Sequence, residues 1–285
     1  MWDGIGLIKR ENMDQYSIGK TLLKIDNVSL EIDGKVILKN VSAEIKDIIR
    51  PDIVTGQVVG FLGPSGIGKS QLFRIIAGLN LPTSGRVTIN ELDRPVHPGE
   101  VGVVAQNYPL FEHRTVYSNL LLAAYMKEKD KKVAKDKVLE FLNEFDLADR
   151  RNSYPAQLSG GQRQRCAIIQ QVLCSDHFLL LDEPFSGLDL LMLEKTCALL
   201  SRIANMDELN TIIVVTHDIV AAATISDHLW LMGRDLDSEG RKIPGARIIK
   251  EYNLIERELC WHPEITTTPK FSEFIREVRE EFRKL

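Results

Sequence analysis

The sequence predicts an α/β fold with a parallel sheet, and three observations carry that reading. Apolar runs of strand length, Gln57–Leu62, Phe178–Leu181 and Thr211–Thr216, alternate with stretches of helical periodicity. The glycine-rich turn Gly63-Pro64-Ser65-Gly66-Ile67-Gly68-Lys69-Ser70 lies between the first run and a helical segment, Lys69–Leu79. Asp182 and Glu183 close the second run at the carboxyl end of its strand, where open α/β sheets bind ligands.

Taken in order, residues 1–20 read as an irregular leader, too short in apolar content to be a secretory signal. From Leu22 the spacing of Leu23, Ile25, Val28, Leu30 and Ile32 is mostly two, Asp33-Gly34 supplies a turn, and Val36–Leu38 resumes. This predicts an antiparallel N-terminal sheet. Gln57–Leu62 reads as a buried strand, and the helix that follows closes near Gly78 and Pro82. Ser118–Phe145 is helical in pattern; within it, Lys127–Lys137 holds six lysines and three acids, either a solvated face or a docking surface. Beyond Arg234 come the turn-rich Asp235–Gly245 and a tail. In that tail Phe271, Phe274, Ile275, Val278, Phe282 and Leu285 recur at helical spacing, which buries them on their own domain or offers them to a partner.

Composition narrows the classes. With 285 residues and 44% hydrophobic content the chain can bury a full core. A net charge of −4, spread over 36 basic and 40 acidic residues, gives no field of one sign to recruit nucleic acid or an anionic membrane. Cys166, Cys174, Cys197 and Cys260 have no CxxC spacing, which argues for reduced thiols in the cytoplasm rather than zinc or disulfides. The apolar runs fall far short of the ~18 residues needed to cross a bilayer. Any membrane association is expected to go through another protein.

Three short segments carry the chemistry. In Gly63–Ser70, of the form GxxxxGK[ST], glycines let backbone N–H groups close on phosphate oxygens, Lys69 reaches the β and γ phosphates and Ser70 offers its hydroxyl to Mg²⁺. Asp182 is suited to the metal shell and Glu183 to polarising a water as general base. Leu158-Ser159-Gly160-Gly161-Gln162 precedes a helical run, so Ser159 and the N–H groups of Gly160 and Gly161 form a second phosphate cradle at a helix start. Gln106 ends an apolar run and His217 follows Thr211–Thr216; neither would be singled out alone.

The order and spacing of these segments, with Ser186-Gly-Leu-Asp189, resemble the ATP-binding cassette (ABC) ATPase family from about Leu22 to Arg234. The resemblance implies a P-loop NTPase core with an antiparallel β subdomain and an inserted helical subdomain, near residues 107–160, within a domain of residues 21–234 followed by a tail, 235–285. It implies ATP and Mg²⁺ as cofactors, with Gly63–Gln71 binding nucleotide and Ser70, Gln106 and Asp182 around the metal. Gln106 touches metal and water, and His217 contacts the γ-phosphate. Two copies, or this chain and a related cassette, bind head to tail, so that Leu158–Gln162 and Asp189 of one complete the site of the other.

The stretch Tyr108–Asn119 looks like importer-type cassettes, where it receives a helix of a transmembrane permease subunit, and the tail with Trp261–Glu264 is similar to the nitrate, sulfonate and taurine branch. The implied function is an ATP-hydrolysing subunit, peripheral on the inner face of the cell membrane, that drives import of a small anion or organic solute with a solute-binding protein. A soluble ABC ATPase outside transport and a nucleotide-gated adaptor are the alternatives. Ile32 stands where the family places an aromatic ring under adenine, Gln71 stands where it commonly has threonine, and Lys46–Val54 is longer than the usual link.

Overall fold

The computed structural model describes residues 16–51, 53–175, 177–260 and 264–285. Residues 1–15 of the expected leader and Trp261–Pro263 of the tail motif lie outside them. Strand β1 (Ser17–Ile32) pairs antiparallel with β2 (Lys35–Ile49) through the two-residue turn Asp33-Gly34. Both turn residues take positive φ, 50° and 74°, as a tight hairpin demands. The irregular reading of residues 17–20 is therefore corrected: this segment is strand, paired with Lys46–Ile49. The long link is explained by the same pairing, because its first half simply extends β2.

Strand β3 (Gln57–Leu62) leads through the glycine-rich turn into α1 (Lys69–Ile76), shorter by three residues than expected because Gly78 ends it at φ 70°. Then come β4 (Ser84–Ile89), β5 (Gly102–Val104), α2 (Val116–Lys127), α3 (Lys131–Glu144), α4 (Gly160–Cys174) and β6 (Phe178–Asp182). The single helical stretch expected over Ser118–Phe145 is two helices. Asp130 breaks it, its side chain accepting from the N–H groups of Lys132 and Val133 as the N-cap of α3. The remaining elements are α5 (Leu190–Ala204), β7 (Thr211–Thr216), α6 (Ile219–Ile225), β8 (His228–Leu236), β9 (Lys242–Asn253) and α7 (Pro269–Lys284).

The strands form one sheet in the order β4-β1-β2-β9-β8-β3-β7-β6-β5. Strands β3, β5, β6, β7 and β8 run parallel, whereas β1, β2 and β4 pair antiparallel. Strand β9, which begins in the segment Asp235–Gly245 read as turn-rich and continues into the tail, joins the two halves: it is antiparallel to β8 and meets β2 at Ala246. Alternate residues of the central strands supply different cores. Val58, Leu179, Leu181, Ile212 and Val214 pack with α2, α4 and α5; Val59, Phe61, Leu180, Ile213 and Val215 pack with α1 and the antiparallel strands. On α7, Phe271, Phe274, Ile275 and Val278 are buried on their own domain, Phe274 edge-on to Tyr252 at 5.3 Å.

This layering decides where chemistry can sit. Strands buried on both faces leave the turns at their carboxyl ends as the places where backbone and charge are free to meet a ligand.

Candidate active site

The glycine-rich turn is held by its apolar member and leaves its polar members outward. Ile67 is buried with Leu38 and Leu72, while Ser65 and Gly66 are exposed. Gly68 adopts φ 113°, a conformation closed to other residues, and gives α1 no side-chain cap. The first N–H groups of α1 are thus left for an external acceptor. Lys69 is 7% exposed, and its ammonium donates to the carbonyls of Gly63 (2.7 Å) and Pro64 (3.2 Å), bridging the turn. Gln71 points elsewhere: its Oε1 accepts from Asn80 Nδ2 at 3.3 Å.

Across from this turn, β6 ends at Asp182 and the chain bends sharply. Glu183 has φ 51°, a left-handed conformation that costs a non-glycine residue about 1 kcal/mol or more. Its backbone is pinned by donation to the carbonyl of Val215 at 2.8 Å. Its Oε2 accepts from Thr216 Oγ1 (3.1 Å) and from the N–H of His217 (3.4 Å), and lies 2.9 Å from His217 Nδ1. The strain is therefore offset by three groups at the end of the neighbouring strand.

Electrostatics ties the two turns together. Burial raises the Asp182 pKa, the charge of Glu183 raises it further, and Lys69 and a hydrogen bond from Ser70 oppose the shift. Burial lowers the Lys69 pKa, against the pull of Glu183 and Asp182. Two carboxylates are thus held together with one ammonium between them and the phosphate-type turn.

Gln106 is exposed in the turn after β5, two residues beyond Val104, which is paired with Leu181. The structure places it beside the carboxylates in strand order but brings it into no hydrogen bond among the described residues. Of the residues that do connect this turn, Arg163, Gln164 and Pro184 escaped the sequence reading, whereas Tyr108, Glu112 and Asn119 entered it only within the stretch Tyr108–Asn119. The carbonyl of Pro184 accepts from Tyr108 Oη (3.4 Å) and Gln164 Nε2 (2.8 Å), so it joins the turn after β5, helix α4 and the bend at Glu183. Arg163 adds a donation to the carbonyl of Tyr108 and an ion pair with Glu112. Asn119, fully buried, accepts from the N–H of Phe111 and donates to the carbonyls of Phe111, Arg114 and Thr115. A polar residue buried inside an apolar helical run was the available signal for it.

Ser159 caps α4. Its Oγ accepts from the N–H of Gln162 (3.3 Å), and Gln162 Oε1 accepts from the N–H of Ser159 (3.0 Å). These two side chains thus form a reciprocal capping box at the start of α4. Gly160 faces open space, whereas a side chain on Gly161 would meet Met192 of α5. Asp189 likewise caps α5, accepting from the N–H of Met192 at 2.9 Å. Leu158 packs against the core beneath. Among the described residues no hydrogen bond or ion pair joins Leu158–Gln162 or Asp189 to Gly63–Ser70.

The described residues contain no group of three or more His, Cys, Asp or Glu side chains able to enclose a metal, and no helix long and apolar enough to cross a membrane. Ser70 and Asp182 still offer adjacent hard oxygens, the kind of sparse protein ligation that suits Mg²⁺ when phosphates supply the rest.

Comparison with known proteins identifies the family of this fold. The family model described as ABC transporter matches residues 47–186. The spermidine/putrescine import ATP-binding protein of Spiroplasma citri is 38% identical over 74% of this chain and 59% of its own length. The sulfate/thiosulfate import ATP-binding protein of Gloeobacter violaceus is 36% identical over 85% of this chain and 74% of its own. The chain thus spans about six tenths of the first relative's length. Among solved structures, CbiO1 of Clostridium perfringens, part of the transporter complex CbiONQ, has a TM-score of 0.70 at 25% identity, covering 93% of this chain and 96% of its own. The ATP-binding cassette MJ0796, a dimer in a post-hydrolysis state with ADP and Pi, has a TM-score of 0.64 at 28% identity, covering 82% and 99%. With the strand order, the glycine-rich turn and the paired carboxylates all in place, the chain belongs to the ABC transporter ATP-binding family.

Proposed function

We propose that this chain is the ATP-hydrolysing subunit of an importer, working as a head-to-tail dimer on separate membrane subunits. The observation that carries the reading is the meeting of three strand ends: Glu183 against His217, and Asp182 coupled to Lys69 and Ser70. Carboxylate, imidazole and ammonium then lie around one position suited to a γ-phosphate.

In this reading Gly63–Ser70 wraps the phosphates. Their oxygens replace the carbonyls of Gly63 and Pro64 as acceptors for Lys69, and the uncapped N–H groups of α1 close from the other side. Ser70, Asp182 and Gln106 hold Mg²⁺, which when bound neutralises charge on the β and γ phosphates. Glu183 takes a proton from the attacking water through the carboxylate that Thr216 and His217 orient. With Nδ1–H donating to Glu183, His217 turns Nε2 to the γ-phosphate and donates to it when that nitrogen also carries a proton. Gln71, tied to Asn80, contributes little to the α-phosphate.

The second cradle belongs to the neighbouring copy's nucleotide. Because Ser159 Oγ accepts from Gln162, its own O–H proton stays available to donate to a phosphate, alongside the N–H groups of Gly160 and Gly161 at the exposed start of α4. Asp189 stands at the start of α5, next to Leu190 and Leu191, which are 74% and 60% exposed. That exposure supports an interface with a partner cassette. The segment after Gln106, braced by Tyr108, Arg163 and Asn119, is where a permease subunit docks. Relatives named for import of polyamines and of sulfate support import of a small charged solute. The chain works at the inner membrane face, and its cargo is chosen by the permease and a solute-binding protein.

The test is hydrolysis by the purified chain together with its capture from membranes. ATP turnover requiring Mg²⁺ and co-purification with a multi-spanning permease are expected. An inability to bind ATP would overturn the proposal, and turnover without any membrane partner would favour the non-transport alternative.

A further inference from the structure

Glu183 is strained for two reasons. Its φ of 51° is costly for a residue with a side chain, and the proline that follows steers its predecessor towards extended backbone instead. Pro184 has no N–H, so hydrogen bonding can tie this residue down only through its carbonyl. Pro184 is buried, and two side chains donate to that carbonyl: Gln164 Nε2 at 2.8 Å and Tyr108 Oη at 3.4 Å. Tyr108 itself stands at φ 47°, so two left-handed turns meet at one acceptor. The shorter bond is the one from Gln164.

Gln164 is 2% exposed and lies on α4 where that helix faces α5. Its Oε1 is 3.4 Å from Thr196 Oγ1, but the one hydroxyl proton of Thr196 also has the carbonyl of Met192 within reach at 2.9 Å. The tie to α5 is therefore shared, and the firm bond of this amide is the donation to Pro184. A Cβ on Gly161 would strike Met192, so α4 and α5 are packed together about one turn before Gln164. That contact sets the height of the amide against the bend.

A buried carbonyl that loses its donor costs about as much as the strain held in one left-handed residue. One bond of this kind is thus large enough to decide whether the bend at Glu183 holds its shape.

Resting on Glu183 as general base, we infer that Gln164 is a positioning residue for hydrolysis. By holding the carbonyl of Pro184 it keeps the preceding carboxylate against Thr216 and His217. It acts through Pro184, from behind the site, and has no part in holding nucleotide. Because α4 begins at Ser159, the helix that carries the second cradle also sets the base of its own chain.

The experiment measures kcat, KM and equilibrium ATP affinity with Mg²⁺ on the full chain, with the melting temperature as a folding control. Gln164→Met keeps the volume and removes the donor. Its kcat is expected to fall about tenfold or more while ATP affinity stays within about threefold, because Gly63–Ser70 is untouched. Tyr108→Phe should lose less, and the two changes together more than the product of their separate losses, since each donor partly covers for the other at one carbonyl. A glutamine with a structural role alone would lower the melting temperature, leave kcat of the folded chain unchanged and show no such coupling. Where Gln164→Met does not fold, Gln164→Asn, whose amide stops short of Pro184, carries the same expectations. An unchanged kcat in a folded Gln164 variant, equal losses of kcat and affinity, or independent effects of Tyr108 and Gln164 overturn the inference. Glu183→Gln is measured alongside. If it is inactive and Gln164→Met is fully active, this inference alone is lost; if it is active, the general base is lost as well.

Discussion

Glu183 Oε2 lies 2.9 Å from Nδ1 of His217, and this contact is made by a glutamate whose backbone is held at φ 51°. The strained bend aims the carboxylate at the end of β7 instead of letting it follow the strand. Thr216 and the backbone of His217 complete the hold, so the group is fixed before any ligand arrives. In the role of general base proposed for it, a carboxylate fixed in this way needs no reorganisation when the water is in place.

Glu183→Gln should therefore leave nucleotide binding intact and lower turnover by about 10²-fold or more, since the amide keeps the shape and loses the basicity. Gel filtration with ATP and Mg²⁺ should show a dimer that persists. A variant that remains a monomer at saturating ATP would remove the shared-site model.

Lys69→Ala should weaken ATP binding about tenfold or more, the loss of a charge-assisted bond to phosphate. Equilibrium titration measures it, with the melting temperature as the control for folding. Undiminished affinity would contradict the role given to Gly63–Ser70.

At Ser159 the helix cap it forms can be separated from the contact to a partner's phosphate proposed for it. Ser159→Asp keeps a strong N-cap, so the melting temperature should hold, whereas Ser159→Ala should cost about 1 kcal/mol. The aspartate places a negative charge where the partner's phosphate is expected, so ATP-driven dimerisation should fail in that variant despite its stable helix. Analytical ultracentrifugation with and without ATP distinguishes the two effects.

Asp182 has a pKa raised by burial and by the charge of Glu183. A carboxylate raised in the folded state favours folding most at pH below its ordinary value. That contribution is lost as pH rises through the folded-state pKa, which leaves a charge whose folded state is disfavoured. Asp182→Asn should accordingly raise the melting temperature of the nucleotide-free protein at neutral pH, and raise it less near pH 4. The same change should abolish Mg²⁺-dependent turnover, a trade of activity for stability.

Asn119→Ala should destabilise the chain by about 2–3 kcal/mol, because one N–H and three carbonyls of the segment 111–115 lose a buried partner. Urea denaturation tests this. A shift below 0.5 kcal/mol would mean that the segment repairs its own bonds.

Local pattern was enough for much of this molecule. Strands β3, β6 and β7 stand out because their two buried faces require unbroken apolar runs, and Gly63–Ser70 does because the positive φ of Gly68 admits only glycine. The amphipathic face of α7 was equally readable from its spacing. Other features rest on relations that no local window contains. Strand β9 joins the sheet only through partners in β2 and β8, and its own residues alternate too weakly to announce it. Asp130 splits a helical pattern because its cap outcompetes one more turn. Pro184 becomes a junction because Tyr108 and Gln164, far apart along the chain, reach one carbonyl. Glu183 and His217 are 34 residues apart, and it is the parallel pairing of β6 with β7 that brings carboxylate and imidazole within hydrogen-bond distance. Residue types and periodicity are short-range properties of the chain, whereas the geometry of a site is set by strand order and register, which only the folded sheet decides.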